Sequence, residues 1–87
     1  MTVIIPRVHL NGTAKQDLLD QLKELDRALR NAEDALAKAS PNARDYYVID
    51  ADAFTKARDQ HVRRARLIAG IRDEIMGIAV GIVDQGK

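Results

Sequence analysis

The sequence predicts an all-α protein: an antiparallel helical hairpin of two long helices, with a short extended N-terminal arm, oligomerising with copies of itself. Three observations predict this. First, Leu18, Leu22, Leu25, Leu29, Ala32, Leu36 and Ala39 recur at alternating steps of four and three, and so do Phe54, Ala57, His61, Arg64, Ile68, Ile71, Ile75, Ile78 and Ile82. That spacing keeps one helix face turned toward a partner. Second, Ser40-Pro41-Asn42 interrupts the pattern between the two runs; the residue before a proline is pushed out of helical geometry, so the first helix stops there. Third, the 87 residues make one domain. A domain this small buries only about 60% of its unfolded surface, and long helices in such a chain usually gain stability by association.

Residues 1–12 read as the extended arm. Val3, Ile4, Ile5 and Val8 favour extended backbone, and Pro6 excludes a helix. Pro6 also lacks a ladder donor, so a strand here lies at an edge. The arm either pairs with its copy in a second subunit or lies across the helices as an ordered tail. Asn11-Gly12-Thr13 is a turn, and Thr13 with Gln16 has the spacing of a capping box. The first helix is expected over 14–39, with Lys, Glu, Asp, Arg and Asn facing solvent.

The linker, 40–50, holds both tyrosines, Tyr46 and Tyr47. Asp50 or Asp52 is expected to cap the second helix, 51–85, where a carboxylate also suits the positive helix end. Folding back places Ala39 near Phe54 and Leu18 near Ile75, with His61 opposite Ala32 and Arg64 opposite Leu29. Near the end of the second helix, Gly77 and Gly81 form a small-xxx-small spacing that admits another helix closely. Met76, Ala79, Val80 and Val83 leave that turn apolar on nearly every side, so a second subunit is expected there.

Composition excludes several function classes. With 14 basic and 13 acidic residues the net charge is +1, which argues against a general nucleic-acid binder. The chain has no Cys, which excludes disulfides and thiolate metal sites. The apolar start is too short for a secretory leader, and 75–83 is about half a membrane span. The expected location is the cytoplasm, that of the host cell if the chain is phage-encoded. No nucleophile–base pattern, phosphate loop or cluster of metal ligands is present, so neither catalysis nor a cofactor is expected.

Three segments carry polar chemistry. His61 and Arg64 share a face and interrupt an apolar stripe, flanked by Arg63 and Arg66, with Arg58 nearby. Guanidinium groups grip phosphate with two parallel bonds, so this is a candidate anion site. Alternatively Arg64 snorkels out to pair with Asp26 or Glu33, and His61 caps a core layer. In the linker, Tyr46 and Tyr47 beside Arg44 suit a stacked base and a phosphate; alternatively one tyrosine plugs the open end of the hairpin and Asp45 pairs with Arg44. Around the first turn, Asn11, Thr13 and free backbone N–H groups favour an anion, weakly. The linker and the first turn lie about 35–40 Å apart in one hairpin at 1.5 Å per residue. They meet only between subunits packed antiparallel, as a composite pocket of one chain's linker and its neighbour's arm.

The stretches Ile5-Pro-Arg-Val-His-Leu-Asn-Gly-Thr13 and Pro41-Asn-Ala-Arg-Asp-Tyr-Tyr47, followed by His61 and Arg64, resemble a group of small phage and prophage helical proteins over most of the chain. That resemblance carries no activity. In size and architecture the chain is also similar to phage anti-defence proteins of the anti-CBASS and anti-Thoeris type, compact helical hairpins that assemble and sequester nucleotide immune signals. The likeness implies a ligand of the cyclic nucleotide or cyclic ADP-ribose class, sequestered without catalysis, and transfers no contact residue. The rival expectations are a structural or adaptor protein of phage assembly acting through its apolar helix, and a nucleic-acid binder using Arg58 to Arg66.

Overall fold

The computed structural model describes residues 3–85; the first two residues of the expected arm, Met1 and Thr2, lie outside them. It holds two long helices, α1 (Lys15–Lys38) and α2 (Ala53–Val83), joined by a linker with one 3-10 turn, Ala43–Asp45. No strand occurs among the described residues, so the class is all-α. Both helices lie within the expected spans.

The helix ends differ from the expected caps. The Thr13–Gln16 capping box does not form: Ala14, in extended backbone at ψ 144°, occupies the cap position and makes no side-chain cap bond. Thr13 therefore stands one residue too early, and Gln16 instead donates to Asp20 Oδ1 at 2.8 Å. Asp17 in the first turn supplies the negative charge that suits a helix start. At the other end the Ser40 hydroxyl donates to the Ala37 carbonyl at 2.6 Å, and Pro41 prevents continuation. Asp52 takes the cap position of α2 without a side-chain cap bond, while the Asp50 carboxylate accepts from the Asp52 N–H at 2.8 Å.

The two helices meet with opposite polarity, a pattern consistent with a helical hairpin. The Lys15 ammonium donates to the carbonyls of Val83 at 3.3 Å and Gln85 at 3.4 Å. A cation thus sits at the negative end of α2, where the last carbonyls lack helical partners. Near the linker, Ser40 Oγ lies 3.2 Å from His61 Nε2. This register differs from the expected one by about two turns, because Ser40, not Ala32, meets His61. The first turns of α2 therefore extend past the end of α1. Pro41 and Tyr46 are the linker residues half-buried at that end.

The seam of α2 also differs. Arg64 and Ile71 are exposed, while His61, Ile68, Arg72, Ile75 and Ile82 turn inward. His61, Ile68 and Ile75 turn inward as expected, and between Ile68 and Ile75 the inward position moves from Ile71 to Arg72. The arginine at the helix interface is therefore Arg72: its Nε donates to Asp26 Oδ1 at 2.9 Å and its Nη1 to Glu33 Oε1 at 2.6 Å. The expected Arg64 pair does not form: Asp26 and Glu33 are taken by an arginine eight residues further on.

The arm lies along α2. Its described residues take no helix or strand, in keeping with Pro6, and it advances in step with the helix. A Cβ added at Gly77 would lie 3.5 Å from Val3 Cγ2, and one at Gly81 would lie 2.7 Å from Ile5 Cδ1. The close-approach face expected to receive another helix is thus occupied by the chain's own arm. Gln85 fixes the far end, accepting from the Val8 N–H at 2.8 Å and donating to the Pro6 carbonyl. Beneath this strap sits Ile82, the one fully buried side chain among the described residues.

The glycines of α2 test this seat. Gly70 has open space around it, so Gly70→Ala is expected to stabilise the chain by about 1 kcal/mol in urea unfolding, the helix-propensity difference alone. Gly81→Ala gains the same propensity but crowds Ile5, so it is expected to stabilise less and to speed hydrogen exchange at the Val8 amide. Equal stabilisation at both positions, with Val8 exchange unchanged, contradicts the packing of the arm.

Candidate functional site

The linker end carries most of the candidate residues. Asn42 Oδ1 accepts from the Arg44 N–H at 3.1 Å, an Asx turn that starts the 3-10 turn. That turn leaves the Arg44 side chain exposed, Tyr46 half-buried and Tyr47 70% exposed. No ion pair joins Asp45 to Arg44. Val48 and Ile49 follow, 72% and 66% exposed, so the linker shows water an aromatic and aliphatic tip.

Behind the tip a groove of about 480 Å³ runs between the helices, lined by Leu36, Ala37, Val62, Ala65 and Ala69, with Glu33, Ser40, His61 and Arg66 as its polar members. Because the Ser40 hydroxyl gives its proton to the Ala37 carbonyl, its oxygen accepts from His61 Nε2–H. His61 thus presents Nδ1 as its remaining acceptor and ties the end of α1 to α2. Beyond the Arg72 ion triad a second hollow of about 210 Å³ continues along the helices, lined by Leu19, Leu22, Lys23, Asp26, Ile75, Met76 and Ala79.

The predicted site residues fall into separate places. His61 lines the groove; Arg63 and Arg64 are exposed on other sides of α2, without an ion-pair partner among the described residues. Arg58 stands over the Phe54 ring at 6.0 Å and pairs loosely with Asp59 at 3.9 Å. Asn11 and Thr13 are exposed at the arm end, in a molecule 61 Å long. There the Gly12 N–H donates to the His9 carbonyl at 3.1 Å, and the His9 ring folds over Gly12, where a Cβ would meet Nε2 at 2.6 Å. One chain does not bring the arm residues to the linker residues. Sequence reasoning missed Ser40, read only as a stop signal, and Arg72, hidden by the plausible alternative of Arg64.

Between the two hollows the electrostatics centre on Arg72. The Asp26 carboxyl lies below the usual carboxylate range, chiefly because Arg72 donates a hydrogen bond to it; the positive charges of Arg72 and Arg30 act the same way and partial burial opposes them. Arg72 is correspondingly raised, by its hydrogen bonds to Asp26 and then Glu33. Among the described residues no group of three or more His, Asp, Glu or Cys is placed to hold a metal ion, and no helix is long and apolar enough to cross a membrane. Comparison with known proteins finds no matching family model, no matching curated protein and no matching solved structure.

The Arg72–Asp26 link sets a pH dependence. A carboxyl whose folded pKa is depressed adds stability above its unfolded pKa and loses it as pH falls through the folded value. Arg72→Met is therefore expected to lower the melting temperature at pH 7, with the gap from wild type closing as pH falls below about 4. Thermal melts followed by circular dichroism at pH 7 and pH 2.5 read this directly. A gap that persists undiminished at the lower pH shows that Arg72 acts through packing alone.

Proposed function

We propose that this chain is a self-associating helical module of phage type that sequesters a small phosphorylated nucleotide signal, a cyclic nucleotide or a cyclic ADP-ribose derivative, between subunits and leaves it chemically unchanged. One observation carries the reading. Arg44 and Tyr47 stand exposed at one end of a long molecule and Asn11 and Thr13 at the other, and none of them has a part in holding the hairpin together. Tyr46 and Tyr47 would stack on the base, as aromatic side chains do on any base face. Arg44, with Arg63 and Arg64, would hold phosphate oxygens. His61 near the linker, and Asn11 and Thr13 from a neighbouring arm, would hydrogen-bond ribose or phosphate.

A second reading is an adaptor of phage assembly that accepts a partner helix. It is favoured by the hollow lined by Leu19, Leu22, Met76 and Ala79, an apolar recess of the size that seats a side chain of a docked amphipathic helix. The readings separate on ligand. Calorimetry against cyclic dinucleotides and cyclic ADP-ribose isomers, with mass spectrometry of small molecules released on denaturation, is expected to reveal one nucleotide-type ligand. Tyr47→Ala is then expected to weaken its binding by about 1–3 kcal/mol, the worth of one stacked base. No heat with any member of the panel and no released nucleotide would remove the nucleotide reading and favour the adaptor.

A further inference from the structure

The α2 helix carries a second stripe that neither α1 nor the arm covers. It runs Val62, Arg66, Ala69, Asp73, Met76, Val80 and then Val83, in unbroken steps of four and three. The large apolar members are all exposed: Val62 41%, Met76 60%, Val80 50% and Val83 42%. This is the spacing of a coiled-coil seam, and it lies beside the seam that holds α1. Its two charged members are of opposite sign, and neither Arg66 nor Asp73 has an ion-pair partner among the described residues. An isolated surface helix has no reason to keep Val62, Ala69, Met76, Val80 and Val83 aligned on one face in water.

We infer that this stripe is the contact surface for a second copy of the chain, packed antiparallel, α2 against α2, in a register set by Arg66 of each copy meeting Asp73 of the other. The occupant follows from the charge pattern. In an antiparallel pair the two alternating seam positions face each other, and a two-fold axis at the height of residue 71, between Ala69 and Asp73 of the stripe, puts Val62 opposite Val80, Ala69 opposite Asp73 and Arg66 opposite Met76. Each Arg66 then lies within one helical turn, about 5 Å, of Asp73 on the other copy, and the small Ala69 leaves room for it. A parallel pair with the helices in line sets Arg66 against Arg66 and Asp73 against Asp73, which is repulsive twice. The pattern is self-complementary, as a two-fold interface requires.

The surface goes beyond the ligand reading and supplies the self-association on which that reading rests. With the axis near residue 71, the linker end of one copy lies by the arm end of the other. Arg44 and Tyr47 then come to the same end of the assembly as Asn11 and Thr13 of the neighbouring chain.

Sedimentation velocity on full-length protein and four variants tests the interface. Wild type is expected to be dimeric or a multiple of two. Arg66→Asp and Asp73→Arg each turn two attractions into two repulsions and are expected to weaken association about tenfold, the effect of roughly 1.4 kcal/mol. The combined Arg66→Asp/Asp73→Arg protein is expected to return to within about twofold of wild type, because the pair is only inverted. Leu67→Glu, exposed on another face of α2, is expected to leave the mass unchanged, and equal helicity by circular dichroism checks folding. An associated wild type whose mass ignores both single reversals, or a double variant as weak as the singles, overturns this interface while leaving nucleotide binding standing. A monomeric wild type that still binds nucleotide overturns the interface and the intersubunit site together.

Discussion

Two helices meet along a single line, and one line cannot cover the apolar residues of both. That constraint governs this molecule. Among the described residues only Ile82 is fully buried, and it lies where a third element, the arm, closes over the two helices. Everywhere else the α1–α2 contact leaves its aliphatic residues half in water. The polar links along the contact are few and placed in order: Lys15 on the last carbonyls of α2, Arg72 between Asp26 and Glu33, and Ser40 with His61. They set polarity and register, and exposed or half-exposed links of this kind add little net stability.

The same constraint connects the fold to the site. Two paired helices with a thin core have two ends and two uncovered flanks. Here the ends carry the exposed aromatic, cationic and amide side chains, and one flank of α2 carries a largely apolar heptad stripe. Association along that flank would remove Val62, Met76, Val80 and Val83 from water, at about 25 cal/mol for each Å² of apolar surface. It would also bring together ends that a single chain holds apart. The stripe supplies the affinity and the charges within it supply the alignment, a division of labour common in paired helices.

The helices were legible in the sequence because heptad spacing survives any uncertainty about the partner. The end of α1 was legible because Pro41 acts locally, while its start and the caps of both helices were not. The seam of α2 was legible only in part. Arg64 and Arg72 both fall within a residue of the stripe, and a step of three or four after Ile68 decides whether Ile71 or Arg72 turns inward. Spacing does not choose between those steps; the position of Asp26 and Glu33 on α1 does, and that depends on a register unknown until the linker is built. The arm's seat was hidden for a related reason. Gly77 and Gly81 admit any close neighbour, and nothing local distinguishes an extended strap of the same chain from a helix of another. The candidate site divides similarly: the linker's tyrosines and Arg44 stood out by composition, but which of them is exposed, and the Ser40 and His61 groove, depend on how far α2 extends past α1.

Dependence of the melting temperature on protein concentration tests the central claim most directly, because only a fold completed by a second copy is stabilised by mass action. A fold completed by a second copy predicts a melting temperature that climbs steadily from micromolar to millimolar protein, with a single cooperative transition. A melting temperature constant over that range, at the mass of one chain, would contradict it.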